Sequence, residues 1–365
     1  MTRSRENADG ARLDAPLASP TFTGAVLGTP LSHRNRLING DFQVAQRGTS
    51  FVASANNDNT YNLDRWYLLS DGNDIVDVTQ SSTAPTNQLT SIGLDVETAN
   101  KKFGIAQIIE SNNCVGLIGN NVTFSFKAKV SDTSKLDNVK AAIISWSSTA
   151  DAVTSDLVSA WAVEGTNPTL ASNLTYENTP ADLNLTTSWA TYSVSANIDT
   201  SSTTNVVVLI WSDVTDTTAG HFLHITDCQI EQGSTATPFE RISYGDELAR
   251  CQRYCVVYGG NNTGSSGWVL NAVVANTSNN IYVNYLLPVV PRTTPVLSFT
   301  GATVISDMFA SDHTASPPTF GANCTHAGIG GRVFLGGWSG SMTQGRSMGS
   351  AGATTAGTSK FDMEL

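Results

Sequence analysis

Two histidines beside an aspartate and a cysteine are the residues best suited to hold a metal ion. His221 and His224 stand three positions apart, and Asp227 and Cys228 follow closely. The segment His221–Ile225 predicts a strand, and side chains three apart on a strand point to opposite faces of the sheet. Zinc ligands usually come in pairs such as CxxC or HxxxH, which this spacing does not provide. We therefore predict no metal site and no cofactor.

Carboxylates are the other side chains that could do chemistry. Asp71, Asp74 and Asp77 lie close together in the sequence, and paired carboxylates cleave glycosidic bonds. Their turn-and-strand context predicts solvated loop charges instead, and the sequence contains neither a P-loop nor an HExxH motif. We predict that the protein is not an enzyme. Because carboxylate pairs also form between distant strands, glycan cleavage stays open as an alternative.

Two tryptophans in polar, glycine-rich segments are candidates for sugar binding. Sugars stack on aromatic faces and are held by flanking polar groups. Trp268 follows a run of Asn, Gly and Ser, and Trp338 follows two glycines, with Arg332 and His326 close in sequence. His313, in a predicted loop, is a further candidate. The alternative is that both tryptophans are buried between the chains of an oligomer.

The composition is polar but poor in charge. Charged residues make up 14% of the chain and the net charge is −11, whereas ordinary soluble domains are about 25% charged. Five arginines against three acidic residues make segment 1–36 basic, and nearly all the negative charge lies in 37–255. Nucleic acids require clustered Lys and Arg, so we predict no nucleic-acid partner. No apolar run reaches the roughly 20 residues of a membrane span, so we predict no membrane insertion.

Residues of alternating polarity predict β-strands through the middle of the chain. Val122–Val130 and Ala190–Ile198 place an apolar residue at every second position, as in strands buried on one face. Val206–Trp211 is apolar throughout and predicts a strand buried on both faces. About 200 residues of such strands, with no long amphipathic helix, predict an all-β protein built around a two-sheet sandwich.

The segments on either side of this sandwich have other patterns. Prolines in Ala15–Gly24 exclude a helix or a central strand, so residues 1–36 are predicted to be an extended arm. Its apolar residues, which include Leu17, Pro20 and Phe22, are too few to form a core and must pack on another chain or another protein. The alternative is that this segment is a disordered leader.

The sequence also predicts one helix and a second β domain. Leu248, Cys251 and Cys255 stand at i, i+3 and i+7, which predicts a connector helix over residues 244–256. The sandwich before it is assigned residues 37–243. The alternation within Ile281–Leu287 predicts a smaller C-terminal β-sandwich domain over 257–365.

Two segments resemble a module that recurs in bacteriophage tail fibres. Asn35–Phe51 together with Tyr61–Trp66 is similar to the opening of that module, and Gln229–Arg241 to its end. Between them the sequence resembles carbohydrate-binding-type jelly rolls of such fibres. Leu17–Gly24 is likewise similar to linker repeats of phage tail proteins. The resemblance covers roughly residues 13–255, and the C-terminal domain matches only loosely.

The resemblance implies a homotrimeric receptor-binding protein of a phage tail. Its N-terminal arm would attach to other tail proteins, and its C-terminal tip would bind a bacterial surface glycan. Five irregularly spaced cysteines predict buried, reduced thiols and cytoplasmic assembly. The resemblance implies that this is the cytoplasm of the host and that the protein then resides in the virion tail. A purely structural tail, collar or baseplate spacer and a glycan-cleaving tailspike are the two alternative functions.

Overall fold

The structure is a computed structural model that describes residues 33–214, 216–259, 271–277, 280–300, 303–306, 312–315, 319–321, 330–336, 347–351 and 358–365. Beyond Tyr258, side chains are described for 285–298 and 360–365. The chain divides into two units, Met1–Arg34 and Asn35–Leu365. The predicted attachment residues Leu17, Pro20 and Phe22 lie outside the described residues, so the virion-attachment arm stays a prediction.

Two six-stranded antiparallel sheets form a jelly-roll sandwich, which confirms the predicted fold class. The first sheet has the order β1-β4-β5-β14-β7-β12 and consists of β1 (Ser50–Phe51), β4 (Val76–Ser81), β5 (Ser91–Val96), β14 (Phe222–Gln232), β7 (Asn121–Val130) and β12 (Ala190–Asn197). The second sheet has the order β11-β8-β13-β6-β3-β2 and consists of β11 (Leu174–Tyr176), β8 (Val139–Trp146), β13 (Asn205–Ser212), β6 (Phe103–Ile109), β3 (Tyr67–Ser70) and β2 (Thr60–Tyr61). Short elements join them: a 3₁₀ turn (Ala53–Asn56), α1 (Ser111–Cys114), α2 (Thr133–Leu136), and a ribbon of β9 (Val158–Ala160) and β10 (Thr169–Leu170).

The alternation read from the sequence decides which side chains enter the core. Val122, Phe124 and Phe126 of β7 are buried in the main core between the sheets. All eight residues of β13 are buried, as predicted for a strand covered on both faces. Burial of apolar area at about 25 cal/mol per Å² is the main stabilising contribution to such a sandwich.

Hydrogen bonds join the two motifs that open and close the sandwich module. The Asn35 amide donates to the Cys228 carbonyl (3.1 Å) and accepts from the Ile230 N–H (3.2 Å). The Arg36 N–H donates to the Ile230 carbonyl (3.0 Å), and the Asn35 N–H donates to the Glu240 carboxylate (3.0 Å). Both motifs therefore contribute to the structure of the sandwich.

A β-bulge in β14 makes room for this junction. The register with β7 shifts between Thr226 and Gln229, and Asp227 has a φ of 55°. The Cys228 N–H then donates to the Gly40 carbonyl (2.9 Å). A Cβ on Gly40 would lie 2.1 Å from the Cys228 carbonyl oxygen, so only glycine fits at this position.

The triplet Asp64–Arg65–Trp66 does not contain the internal ion pair that its sequence suggests. Asp64 accepts hydrogen bonds from Gln46 instead (2.6 Å from both its N–H and its side-chain Nε2). Arg65 pairs with Glu364, about 300 positions along the chain, and its guanidinium stacks over the Tyr254 ring at 3.7 Å. Asp64 and Arg65 do not pair with each other because Gln46 and Glu364, which are distant in sequence, give each of them a buried hydrogen bond.

The predicted helix is present but shorter than expected. It is α3 (Tyr244–Gln252), and the Ser243 hydroxyl caps it by accepting from the Asp246 N–H (3.3 Å). Cys251 packs with Ile38 and Val44 of the opening motif. The prediction that Cys255 lies on the helix is wrong, because it opens a strand paired with the end of the chain. The β-branched run after Cys255 favours that strand.

Two further antiparallel sheets follow the helix. One has the order β15-β24-β18 and consists of β15 (Cys255–Gly259), β24 (Thr358–Asp362) and β18 (Val296–Thr300). The other has the order β20-β19-β23-β16-β17-β22-β21 and consists of β20 (Asp312–Ala315), β19 (Thr303–Ser306), β23 (Ser347–Ala351), β16 (Asn271–Thr277), β17 (Asn280–Leu286), β22 (Gly330–Gly336) and β21 (Thr319–Gly321).

Residues 321–357 are rich in glycine, yet this segment contains β22 and β23. Pairing on both sides of β22 outweighs the low strand propensity of glycine. The domain boundaries at 36, 243 and 256 stay predictions.

Two further features concern cysteines and membrane spans. Cys114, Cys228, Cys251 and Cys255 are free and buried, and Cys324 lies outside the described residues. Within the described ranges, no helix has the length and apolarity needed to cross a membrane.

The end of the chain is held against the sandwich by ion pairs. Arg47 contacts Asp362 (3.1 Å) and Glu364 (3.0 Å), and the Tyr61 hydroxyl donates to the Leu365 carbonyl (2.9 Å). Burial by itself would raise the pKa of Asp362, but the charges and hydrogen bonds of Arg47 and Lys360 lower it to about 2.

We expect Asp362→Asn to remove part of the acid sensitivity of the fold. The pKa of Asp362 in the folded chain, about 2, lies below its ordinary value of 3.8. The stability that this carboxylate contributes is therefore present above about pH 4 and lost as the pH falls to about 2. In urea unfolding, the free energy of unfolding should fall between pH 5 and pH 2 by on the order of 2 kcal/mol less in the variant than in wild type. Asp216→Asn, which removes an exposed partner of Lys135, is the control, and equal losses in wild type and Asp362→Asn would contradict the prediction.

Candidate functional site

Within the described residues, the centre of the second sheet's outer face is covered. Tyr67, Leu69 and Trp211 point away from the main core into a second apolar cluster. Val153 and Leu157, from the segment between β8 and β11, are buried in the same cluster and cover the sheet. This cover makes the first sheet the better candidate for binding an extended ligand, although Trp146, Trp161 and Tyr176 at the edge of the second cluster are partly exposed.

One half of the first sheet's outer face is partly exposed. Its strand register places Thr79, Gly93, His224 and Lys129 side by side on β4, β5, β14 and β7. Trp189, directly before β12, adjoins the same row and contacts His224. Core-facing residues alternate with these positions, so the row points outward. We call this half of the sheet the open face.

Three partly exposed aromatic side chains form a ledge across the open face. Phe222 and His224 stack in parallel, with ring centroids 5.7 Å apart and an interplanar angle of 2°. The Trp189 ring lies 6.3 Å from His224 at 50°. We call Trp189, Phe222 and His224 the aromatic ledge. Because pyranose rings present C–H faces that stack on aromatic rings, a ledge of this kind can hold a sugar.

Gly93 allows the imidazole to lie over the sheet. A Cβ at this position would be 3.2 Å from His224 Cε1 and 2.9 Å from the Thr79 hydroxyl. Any side chain on Gly93 would therefore displace the ring that joins the two other aromatics.

His224 is uncharged near neutral pH. Burial and, secondly, the nearby Lys129 ammonium lower the pKa of His224 to about 4. Its Nδ1 is buried and has no hydrogen-bond partner. The ring therefore acts as a neutral stacking surface.

Basic side chains lie on one side of the ledge. The Lys129 ammonium lies over the Trp189 ring, 5.7 Å from its centroid. Lys127 pairs with the buried Asp227 of the bulge (2.8 Å), and Gln88 also donates to that carboxylate. The bulge therefore places the Asp227 carboxylate beside Lys127. Lys129 instead lies beside Trp189 of the aromatic ledge.

Acidic side chains lie on the other side of the ledge. Asp77 and Asp95 are directly opposite each other on β4 and β5, and Asp95 is opposite Phe222 on β14. Burial and then the charge of Glu97 raise the pKa of both carboxyls, and Asp74 adds to the effect on Asp77. In the part of the chain that is described, no group of three His, Cys, Asp or Glu side chains is arranged to hold a metal ion.

Most of the sugar-binding residues chosen from the sequence cannot be located. Trp268, Trp338 and His326 lie outside the described residues. Arg332 is on β22 and His313 on β20, and four strands of the seven-stranded sheet separate them. Only the backbone of these two residues is described. All five stay predictions.

Sequence reasoning missed the aromatic ledge, although a signal was present. Phe222 and His224 occupy the polar positions of a strand whose other positions enter the core, and Trp189 precedes an alternating strand. An aromatic residue at a strand position that points away from the core indicates a partly exposed face that can bind a ligand. Sequence reasoning considered His224 only as a metal ligand and gave Trp189 and Phe222 no role.

A second overlooked pattern has no supporting context. Gly345–Gly349 fits the Gly-x-Ser-x-Gly sequence of a nucleophile elbow. That elbow requires the serine in a turn between a strand and a following helix. Ser347 instead opens strand β23, so the pattern does not indicate a catalytic serine.

Comparisons with known proteins concern the fold. No protein-family model matches the sequence, and no curated protein matches it significantly. Similar solved structures include the enzymatically active domain of bacteriophage CBA120 tailspike protein 4, with 14% identity and a TM-score of 0.35. The match covers 55% of this chain and 22% of that chain.

Two other similar structures contain carbohydrate-binding modules. TmCBM61, solved with β-1,4-galactotriose, has 14% identity and a TM-score of 0.31, covering 55% of this chain and 99% of that chain. The Clostridium thermocellum xylanase 10B, whose CBM22-1 and GH10 modules were solved with xylohexaose, has 13% identity and a TM-score of 0.34, covering 56% and 30%. Identities and TM-scores as low as these carry no argument about function, so a function for this protein has to be inferred from the geometry of the open face.

Proposed function

We propose that the protein binds a glycan on the bacterial surface and attaches a phage virion to its host as a tail-fibre protein. The observation that carries this proposal is the partly exposed aromatic ledge on the first sheet of the sandwich. In the described part of the chain, the other sheet is covered on its outer face. Stacking on the ledge would hold a sugar ring, and neighbouring hydroxyl, amide and charged groups would orient it.

The remaining parts of the proposal come from the sequence. The chain would act as a homotrimer, with residues 1–36 attached to other tail proteins and the C-terminal domain directed towards the host. Three linked sites gain roughly 10² to 10⁴ in avidity, which compensates for weak single-sugar contacts. The protein would be assembled in the host cytoplasm and reside in the virion tail. No catalysis, cofactor, nucleic-acid contact or membrane insertion belongs to this proposal.

We expect the double variant Trp189→Ala/Phe222→Ala to bind host cells and their extracted surface glycans about tenfold more weakly per site. Each lost stacking contact contributes about 0.5–1.5 kcal/mol, and tenfold corresponds to about 1.4 kcal/mol. Isothermal titration with purified glycan measures the effect. Tyr244→Ala, which removes an exposed aromatic ring on α3, should bind as wild type does.

Variants of the C-terminal domain separate the two possible locations of the site. Trp268→Ala and Trp338→Ala should weaken binding only if the predicted tip also contacts the glycan. Loss of binding in these variants, with full binding in the ledge variant, would move recognition to the tip. Point variants of the whole chain are required, because truncation before residue 360 would remove the partners of Arg47 and Arg65.

The carboxylate pair beside the ledge favours glycan cleavage as a second candidate function. Asp77 and Asp95 face each other across two strands and have raised pKa values, which suits a proton donor. A tailspike would release soluble oligosaccharide from host polysaccharide, and Asp95→Asn would abolish the release. Binding without release supports the adhesin. Absence of both binding and release would favour the structural spacer.

A further inference from the structure

We propose that the glycan bound at the open face is acidic, and that Lys129 binds its carboxylate while the sugar ring stacks on Trp189. This inference rests on the proposed glycan-binding function and adds the chemical class of the ligand. It follows from how lysines are paired in this chain.

Lys129 is an exception among the seven lysines of the chain. The other six each have an aspartate partner within 4.0 Å: Lys101 with Asp71, Lys102 with Asp213, Lys127 with Asp227, Lys135 with Asp216, Lys140 with Asp213 and Asp182, and Lys360 with Asp362. No carboxylate of the described residues pairs with Lys129. In a chain with a net charge of −11, an ammonium group that has no acidic partner among the described residues is unusual because carboxylates outnumber cations.

The position of Lys129 suits a ligand that is both a ring and an anion. Its ammonium lies 5.7 Å from the centroid of the Trp189 ring, so one sugar residue can contact both groups. The neighbouring Lys127 is neutralised by Asp227 (2.8 Å) and adds little net charge. Charge-assisted hydrogen bonds from lysine to carboxylate are about twice as strong as neutral ones.

The remaining charges of the open face would fix the direction of such a ligand. Asp77 and Asp95 lie on the far side of Phe222 and His224, with Glu97 close to both. A carboxylate placed on that side would be repelled. The carboxylate of a uronic or sialic acid residue is therefore directed towards β7, where Lys129 lies.

The test uses pairs of ligands that differ only in charge. Oligosaccharides containing uronic or sialic acid are compared with their carboxyl-reduced forms, using the full-length protein and isothermal titration. We expect wild type to bind the acidic member about tenfold more tightly. Lys129→Met should lose this preference, Lys129→Arg should keep most of it, and Trp189→Ala should weaken both members. Salt at about 1 M should weaken only the acidic ligands.

Lys135→Met is the matched control, since Lys135 is a partly exposed lysine on α2 that pairs with Asp216. It should bind both members as wild type does. Equal affinity of wild type for acidic and neutral members would overturn the inference and leave the glycan-binding function standing. If Lys129→Met kept the wild-type preference for the acidic member, the inference would also be overturned and the glycan-binding function would stand. Absence of binding to every oligosaccharide and to host cells would overturn both proposals.

Discussion

Replacing Arg65 by methionine is expected to lower the free energy of unfolding by about 3 kcal/mol or more. The Arg65 side chain is 1% exposed, its guanidinium pairs with Glu364, and it donates to the Ile108 carbonyl (2.5 Å). It also stacks on the Tyr254 ring at 3.7 Å. Methionine keeps the apolar stem but leaves Glu364 with Arg47 as its remaining cation. Breaking a buried pair by removing one partner costs about 3–5 kcal/mol, because a buried charge loses its compensation.

Urea unfolding measures the effect, and the double variant Arg65→Met/Glu364→Gln shows where it comes from. If the loss arises because the buried Glu364 carboxylate keeps only Arg47 as its cation, the double variant is more stable than Arg65→Met. A double variant that is less stable by the full sum of the single losses would show that Arg65 acts through packing and its bond to Ile108. Lys101→Met, which breaks an exposed pair with Asp71, should change stability by less than about 1 kcal/mol.

Gly40→Ala is the second change expected to have a large effect. The added methyl group would lie 2.1 Å from the Cys228 carbonyl oxygen and 3.2 Å from the Phe239 ring. To accommodate it, the opening turn must move away from the bulge in β14 and lose the hydrogen bond between the Cys228 N–H and the Gly40 carbonyl (2.9 Å). Overpacking costs about 1–3 kcal/mol and sometimes more, and the lost bond adds roughly 1 kcal/mol.

Thermal unfolding of the Gly40→Ala protein, or its yield as soluble protein, measures this loss. Gly245→Ala is the matched control, because nothing lies within 4 Å of a Cβ at that helical position. That change should stabilise the protein by roughly 0.5–1 kcal/mol, since alanine favours a helix over glycine. Equal stability of wild type and the Gly40→Ala variant would mean that the turn and the bulge can separate without loss.

The side-chain periodicity of strands explains why the core could be predicted from the sequence. Alternation with a period of two places Phe124 and Phe126 on one face and Lys127 and Lys129 on the other, whatever the partner strand is. Continuous apolarity in Val206–Trp211 likewise required a cover on both faces, and the second apolar cluster provides it. Local sequence is sufficient for such conclusions because they concern one strand at a time.

Pairings between distant residues could not be read in the same way. Asp64 is the carboxylate adjacent to Arg65 in sequence, but folding places Glu364 beside Arg65. Cys255 continued the helical spacing of Leu248 and Cys251, but pairing with Asp362 made it part of a strand. In both cases a partner about 100 to 300 positions away provides a buried hydrogen bond that the local pattern cannot predict.

The sequence by itself determined the all-β class, the apolar faces of the main strands, the connector helix and the acidic, weakly charged surface. Each of these depends on residue type and on spacing along one segment. Only the tertiary structure decided which sheet is covered, and which side chains share the open face. Trp189, His224 and Lys129 come from three different strands or their ends, and strand order and register bring them together. A site assembled across strands depends on long-range pairing, which no single segment of sequence contains.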